Sequence, residues 1–112
     1  MPPSNGTFSY TVTATFEDER VLEEWVLWLR TGHLADVELG GALSSEVIRF
    51  DLDGDTPSLT CEARYRFESR ETFARYVREF APALRAEGLA KFPPERGVQY
   101  RRATGTVVAG RS

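Results

Sequence analysis

The hydrophobic period of this chain switches repeatedly between the two-residue repeat of a strand and the 3.6-residue repeat of a helix. From Phe8 to Phe16, apolar side chains alternate strictly with serine and threonine, which predicts a strand that is buried on one face. From Val21 the helical spacing begins, and the chain then continues as two strands, a second helix and a last strand. This order predicts one sheet with both helices on the same face, because crossover connections are right-handed.

Local signals give the boundaries of these elements. Asp18 and Ser69 are predicted to cap the two helices, since their side chains can accept hydrogen bonds from the first helical turn. Gly32 is predicted to end the first helix, ahead of another short helical turn at residues 33–39. Pro82 is predicted to kink or divide the second helix. The predicted strands cover residues 7–16, 43–52, 58–67 and 98–108.

Together these elements predict a single ferredoxin-like α+β domain, βαββαβ, over residues 7–108. Its four-stranded antiparallel sheet has the strand order 4-1-3-2, with two helices on one face. Residues 1–6 and 109–112 are predicted to be loose, flexible termini. A chain of 112 residues is too short to divide into two cores, so we expect one domain.

The composition excludes several classes of function. A net charge of −3 argues against nucleic acid as a partner, because binding to phosphates needs a surplus of Lys and Arg. The single cysteine excludes an internal disulfide, and no ligand set with metal-binding spacing is present, so neither metal nor cofactor is predicted. No apolar run approaches the length of a membrane span, and the N-terminus lacks signal-peptide features. We therefore expect a cytoplasmic protein without a membrane partner.

With both helices on one side, the other face of the sheet, here called the open face, lacks a cover. The residues predicted beneath the helices are Phe8, Tyr10, Val12, Ile48, Phe50, Leu59, Cys61 and Tyr65. Those predicted on the open face are Ser9, Thr11, Thr13, Thr15, Val47, Arg49, Asp51, Glu62, Arg64 and Arg66. Such a face is either solvated or packed against a second copy, making a homodimeric barrel; we favour the homodimer, because two-fold dimers dominate among small oligomers.

The open face also supplies candidate ligand-binding residues. In a homodimer these side chains would line the lumen of the barrel, where arginines could bind a carboxylate or phosphate. The candidates are Arg49, Arg64, Glu62, Thr11 and Thr13. The alternative is that the arginines and acidic residues of this face pair with one another and bind nothing else.

Two further residues have side chains that can carry chemistry. His33, the only histidine, is a candidate general base oriented by Asp36. Its structural alternative is to cap the first helix or to pack against Trp25 or Trp28. Cys61 lies among apolar neighbours in mid-strand, which favours an inert buried thiol over a nucleophile.

Several short motifs along the chain point to one family. They are Tyr10-x-Val12, Glu24-Trp25-Val26-x-Trp28-Leu29, His33-Leu34-x-Asp36-Val37-x-x-Gly40, Tyr65-x-Phe67, Tyr76, Ala81-x-x-Leu84-Arg85, Lys91-Phe92 and an arginine of the last strand, Arg101 or Arg102. The chain resembles the bacterial domain-of-unknown-function family 4286 over about residues 10–102, most specifically from Trp25 to His33. The resemblance implies a dimeric α+β barrel and no established activity.

Three functions therefore stand as hypotheses. The first is a homodimer that binds a small molecule, or simply assembles, without catalysis. The second is a cofactor-independent enzyme of monooxygenase or isomerase type, with His33 as base and Arg64 as anion clamp. The third is a regulatory module that senses an amino acid at its dimer interface. A cavity reached by His33 and at least two arginines would favour the enzyme.

Overall fold

The fold of the protein was obtained as a computed structural model, which describes residues 6–111. The strands are β1 (Phe8–Phe16), β2 (Ala42–Arg49), β3 (Leu59–Phe67) and β4 (Val98–Thr106). The helices are α1 (Glu19–Trp28), α2 (Leu34–Leu39), α3 (Arg70–Glu79) and α4 (Ala81–Lys91), with a π-helical turn at Leu29–His33 and a 3-10 turn at Pro94–Arg96. All strand pairs are antiparallel, and the order is β2-β3-β1-β4, so the predicted ferredoxin-like topology is confirmed.

The alternation of β1 is realised as predicted. Phe8, Tyr10, Ala14 and Phe16 are buried beneath the helices, while the serine and threonines between them are half-buried on the open face. Because β1 lies between β3 and β4, its register fixes which residues of both neighbours share each face. In the structure the open face comprises Ser9, Thr11, Thr13, Thr15, Ser44, Glu46, Ile48, Thr60, Glu62, Arg64, Arg66, Gln99, Arg101, Ala103 and Gly105.

Both predicted helix caps are confirmed. The Asp18 carboxylate accepts a hydrogen bond from the Arg20 amide at 2.8 Å, and the Ser69 hydroxyl accepts one from the Thr72 amide at 3.1 Å. The predicted division at Pro82 is also confirmed, since α3 ends at Glu79 and the proline occupies the first turn of α4. A proline is tolerated there because its missing N–H would have no helical partner.

The predicted stop at Gly32 is wrong. The chain continues from α1 through the π-helical turn into α2, and Gly32 keeps a negative φ. The helical run ends instead at Gly40 and Gly41, where Gly41 has a φ of +126°. The short turn predicted at residues 33–39 is therefore present, joined without a break to the helix before it.

The predicted faces of β2 are reversed in the structure. An irregularity between Ala42 and Ser44 inserts one residue, after which Val47 pairs with Ala63 and Arg49 with Cys61, both on the helix-covered side. Ile48 lies on the open face opposite Glu62. Adjacent Val47 and Ile48 are both apolar, so alternation alone allowed either choice, and one residue of shift exchanges the two faces. The predicted place of Arg49 and Val47 on the open face is wrong.

The core is built around an aromatic cluster between the central strands and α3. Phe73 of α3 packs on Phe8 and Tyr10 with ring centroids 5.0 Å away, and on Phe67 at 5.2 Å. The cross-strand pair Tyr10 and Tyr65 stacks at 5.6 Å. At the other end of the sheet, Leu22, Trp25 and Leu29 of the α1 run are buried against the same face.

The predicted domain limits, residues 7–108, stay a prediction. Residues 1–5 and 112, which belong to the predicted loose termini, lie outside the described residues. Inside that range the Gly6 amide donates a hydrogen bond to the Val107 carbonyl at 2.9 Å, and the Val107 amide donates one to Thr7 at 2.7 Å. Backbone pairing therefore continues slightly beyond β4.

Two glycines of the same helical run should respond in opposite ways to a methyl group. We expect Gly41→Ala to lower the free energy of unfolding by about 1–3 kcal/mol, because its φ of +126° disfavours L side chains. A Cβ there would also lie 3.2 Å from Thr72 Cγ2. The control, Gly32→Ala, should raise the free energy of unfolding by up to about 1 kcal/mol, since a Cβ at Gly32 meets no atom of the described residues within 4 Å. Urea denaturation measures both; equal effects would contradict the assigned backbone.

Candidate functional site

A cavity of about 240 Å³ lies between the sheet and its helices. The sheet contributes one wall, and α1, the π-helical turn, α3 and α4 contribute the others. The lining residues are Tyr10, Val12, Trp25, Trp28, Leu29, His33, Ala63, Tyr65, Tyr76, Leu84, Arg85, Gly88, Leu89, Tyr100 and Arg102. The cavity is therefore inside the protomer, on the opposite side of the sheet from the open face.

The aromatic residues of the chain divide sharply at this cavity. All four tyrosines, both tryptophans and the only histidine line it. None of the seven phenylalanines, all of which fall within residues 6–111, does so. Tyrosine, tryptophan and histidine combine a flat apolar surface with a hydrogen-bonding group, whereas phenylalanine has no such group. The cavity is thus suited to a planar molecule that carries polar atoms.

His33 is held against Trp28 on the cavity wall. The two rings stack with centroids 4.2 Å apart and an angle of 22° between their planes. The Trp28 indole N–H donates to a Glu87 carboxylate oxygen at 3.2 Å, which fixes the plane of the indole. Gly88 permits this packing, because a Cβ there would lie only 3.1 Å from Trp28 Cη2. Helix α4 therefore orients the surface on which the imidazole rests.

The electrostatic setting of His33 keeps its ring neutral. Burial lowers the pKa of His33 below its ordinary value of 6.5, and this effect outweighs the nearby carboxylates of Asp36 and Glu87, which raise it. Its Nδ1 atom is buried and has no hydrogen-bond partner among residues 6–111. A neutral imidazole retains one nitrogen lone pair, so His33 can accept a proton at pH 7. The side chain packs on Trp28, as one structural alternative predicted, while also lining the cavity.

Two arginines converge on one hydroxyl of the cavity lining. Arg102 Nε donates a hydrogen bond to the Tyr10 hydroxyl oxygen at 3.2 Å, and Arg85 Nη2 donates one to the same oxygen at 3.5 Å. The Arg102 guanidinium also lies 5.9 Å from the centre of the Tyr100 ring. His33 and two arginines thus line a common cavity, which is the arrangement expected above to favour an enzyme.

Three tyrosines of the cavity, Tyr65, Tyr76 and Tyr100, stay protonated at neutral pH. Burial raises the pKa of Tyr65, and burial raises the pKa of Tyr76 to about 12. Burial also raises the pKa of Tyr100, whose hydroxyl donates to the Phe92 carbonyl at 3.2 Å. These three tyrosines therefore offer neutral hydroxyl groups, while Arg85 and Arg102 bring positive charge to the cavity.

Four of the candidate ligand-binding residues lie on the open face, as predicted, and do not reach the cavity. Thr13 donates to a Glu62 carboxylate oxygen at 3.1 Å, and Arg64 pairs with Glu62 at 2.5 Å. Thr11 lies between Arg64 and Ala103 in the sheet register. The pairing alternative is therefore realised for Arg64, while a ligand on this face stays a prediction.

The fifth candidate, Arg49, lies on the other side of the sheet. It pairs with Glu19 at the start of α1 at 2.9 Å, so it belongs neither to the open face nor to the cavity. Cys61 is fully buried beside it in the register, and burial raises the pKa of its thiol to about 11. A thiol in that state is a poor nucleophile, which agrees with the inert role favoured from the sequence.

The sequence patterns predicted no catalytic or ligand-binding role for Arg85, Arg102, Tyr10 or Trp28. A usable signal was present, because every tyrosine of the predicted strands and helices occupies a core-facing position where a phenylalanine would pack equally well. Hydroxyl groups in such positions need hydrogen-bond partners and indicate a polar interior space. The arginines gave a weaker signal, since exposed arginines are common on helices and edge strands.

Residues 6–111 contain neither a metal-binding cluster nor a membrane-spanning helix. Residues 6–111 contain no group of three or more His, Cys, Asp or Glu side chains placed to hold a metal ion. Within the same residues, no helix has both the length and the apolar character needed to cross a bilayer.

Comparison with known families assigns the chain. The family described as domain of unknown function DUF4286 matches residues 7–104, which include β1, β2, β3, most of β4 and every cavity-lining residue. The chain belongs to the DUF4286 family. The predicted resemblance is therefore confirmed, and it extends beyond the motifs on which it was based. No curated protein matches this DUF4286 chain.

Solved structures share the fold of this DUF4286 protein at low sequence identity. A dimeric ferredoxin-like protein from an uncultured marine organism superposes with a TM-score of 0.74 at 13% identity, covering 92% of this chain and 96% of its own. A point mutant of SnoaB, a cofactor-independent oxygenase from Streptomyces nogalater, superposes with a TM-score of 0.64 at 12% identity, covering 89% of this chain and 91% of its own. A Streptomyces coelicolor monooxygenase from the gene ActVA-Orf6, in complex with nanaomycin D, superposes with a TM-score of 0.64 at 17% identity, covering 91% of this chain and 87% of its own. These likenesses establish the fold.

The lowered pKa of His33 makes a specific contribution to stability. Between pH 6.5 and the lower pKa of the folded state, the unfolded chain binds more protons at His33 than the folded chain does. This contribution to the free energy of unfolding is therefore complete above pH 6.5 and is lost as the pH falls below it. We expect the wild type to lose more stability than His33→Asn between pH 7 and pH 5, by at most about 1.4 kcal/mol per pH unit. Parallel slopes in urea titrations at each pH would contradict the assigned environment.

Proposed function

We propose that this protein is a cytoplasmic homodimer that binds a small planar aromatic molecule in the cavity of each protomer. We further propose that it acts on that molecule as a cofactor-independent oxygenase, with His33 as general base. The observation that carries this proposal is the collection of every tyrosine, every tryptophan and the histidine around one cavity. Aromatic side chains that offer both flat faces and polar groups match a hydroxylated aromatic ring better than an aliphatic ligand.

The imidazole supports a proton-transfer step. A neutral His33 accepts the phenolic proton of the bound molecule, leaving an electron-rich arenolate that reacts with O2 at a ring C–H carbon. That carbon becomes a carbonyl carbon by gaining one oxygen atom, and the second oxygen atom leaves as water with the two hydrogens lost from the ring and the hydroxyl. The products are a quinone and water, and O2 is the only oxidant consumed. The names of SnoaB and the ActVA-Orf6 monooxygenase support O2 as the second reactant, because both share this fold.

The open face supports the homodimer. It combines small hydroxyl-bearing side chains on β1 with an ion pair between Arg64 and Glu62 on β3, both of which a second sheet can approach closely. The marine ferredoxin-like proteins that share the fold are described as dimeric. Because the cavity lies on the other side of the sheet, dimerisation leaves its lining residues in place.

The catalytic part of the proposal is tested on His33. We expect wild-type protein to consume O2 with at least one member of a panel of hydroxybenzenes and hydroxynaphthalenes, measured with an oxygen electrode. His33→Asn should lower that rate by about 10²- to 10⁴-fold, because the general base is lost, while quenching of tryptophan fluorescence shows that the compound still binds. The rate of the wild type should fall on the acid side, below pH 6.5.

The matched control is Arg75→Gln, a change on the exposed surface of α3 that should leave the rate unaltered. A His33→Asn protein that turns over at the wild-type rate would exclude the base. If the whole panel binds and none reacts, the protein binds without catalysis, which is the non-catalytic hypothesis set out from the sequence.

The dimer is tested separately from the chemistry. Light scattering should give about twice the monomer mass of 12.6 kDa at micromolar concentration. Thr11→Arg should shift the protein to monomer, because it places a second cation next to Arg64 at the centre of the open face. The control, Ala83→Arg on exposed α4, should stay dimeric. A wild-type monomer, or a Thr11→Arg dimer of unchanged stability, would contradict packing through this face.

A further inference from the structure

We infer that the ligand of the cavity carries a carboxylate, bound by Arg85, Arg102 and the hydroxyl of Tyr10. This inference rests on the proposed function, because it names the chemical class of molecule that the same cavity takes. This anion-binding subsite differs from the one predicted from the sequence, which was on Arg64 and Arg49. The three residues come from β1, α4 and β4, so the fold brings them together from distant parts of the chain.

The hydrogen bonds at Tyr10 leave a surplus of donors. A phenolic hydroxyl has two acceptor lone pairs and one O–H donor. Arg102 Nε at 3.2 Å and Arg85 Nη2 at 3.5 Å both donate to this oxygen, so they occupy its two lone pairs. The O–H of Tyr10 is then left to donate, as are the remaining N–H groups of the two guanidiniums. A group made only of donors is completed by a ligand that only accepts.

The charges lead to the same conclusion. Neither Arg85 nor Arg102 forms an ion pair with a carboxylate of residues 6–111, whereas Arg49, Arg64 and Arg96 each do. Two exposed cations therefore approach one neutral oxygen at the cavity with no carboxylate of residues 6–111 between them, and a bound anion would lower the repulsion between them. Glu87, the acidic residue of α4, does not line the cavity and accepts a hydrogen bond from Trp28.

A planar carboxylate on a small ring system fits this subsite. Guanidinium groups donate parallel N–H bonds whose geometry matches the two oxygens of a carboxylate. The cavity volume of about 240 Å³ lies below the range of about 300–1,000 Å³ usual for drug-sized ligands, so it suits one or two fused rings. The inferred ligand class is therefore an aromatic carboxylate, with its rings against the aromatic wall and its charge on the arginines.

The test compares two probes of nearly the same shape, 2-naphthoate and its neutral amide, 2-naphthamide. Binding of each is followed by tryptophan fluorescence and by isothermal titration calorimetry. We expect the wild type to bind 2-naphthoate at least about tenfold more tightly than 2-naphthamide, with the preference falling as salt is added. Arg85→Gln and Arg102→Gln should each weaken the binding of 2-naphthoate by about tenfold or more and change the affinity for 2-naphthamide by less than about twofold.

Arg101→Gln is the matched control, because Arg101 is the neighbour of Arg102 in β4 but faces the opposite side of the sheet. It should leave the binding of both probes unchanged. Tyr10→Phe removes only the hydroxyl, and it should weaken the binding of 2-naphthoate without changing the affinity for 2-naphthamide. Circular dichroism melts of all four variants establish that they are folded.

The outcomes separate this inference from the proposed function. Equal binding of the two probes by the wild type would overturn the carboxylate subsite and leave the aromatic cavity intact. Loss of 2-naphthoate binding in Arg101→Gln as large as in Arg102→Gln would also overturn it, since the effect would then come from net charge. If neither probe binds to the wild type, the aromatic-binding cavity fails, and the subsite fails with it.

Discussion

The pairing of β1 with β3 at the centre of the sheet is the constraint on which the rest of the structure depends. It sets Tyr10 opposite Tyr65 and Ala14 opposite Cys61, all on the side covered by helices. Because side chains alternate along a strand, a shift of one residue would bury the threonines and expose the aromatics. The same pairing that builds the hydrophobic core therefore also brings the tyrosine hydroxyls to the cavity.

The cavity follows from how that aromatic layer is covered. Near α3, phenylalanines and tyrosines pack closely, with ring centroids 5.0 to 6.2 Å apart. Around the cavity the lining includes rings with polar groups and two arginines besides apolar side chains, and Gly88 gives Trp28 the space it occupies. Hydroxyl groups and guanidiniums cannot be packed shut by apolar side chains without losing their hydrogen bonds. The polar members of the layer thus keep a space open where phenylalanines would have filled it.

The sequence predicted most of the fold because its strongest patterns were unambiguous. The alternation of β1 and β3 and the caps at Asp18 and Ser69 each allowed one interpretation, and each is confirmed. Pro82 was predicted to kink or divide the second helix, and it divides it. It failed for β2, where adjacent Val47 and Ile48 satisfied either face and an inserted residue decided between them. For the site, His33 was a candidate because it is unique, but Arg85 and Arg102 meet only through tertiary structure. No local pattern records that an α4 arginine and a β4 arginine share a hydroxyl.

The π-helical turn at Leu29–His33 has a consequence for how this chain can vary in length. A π turn closes its hydrogen-bonded ring over one more residue than an α turn, so the helical run holds one residue in excess at this point. Deletion of a single residue there would restore a regular α-helix and preserve its capped start at Asp18. The wide turn accommodates that residue locally, so the helices on either side would keep their orientation, and the deletion would act on the side chains of the turn itself, which include the imidazole stacked on Trp28. Homologous chains one residue shorter in this segment would then retain the architecture and differ at this wall of the cavity.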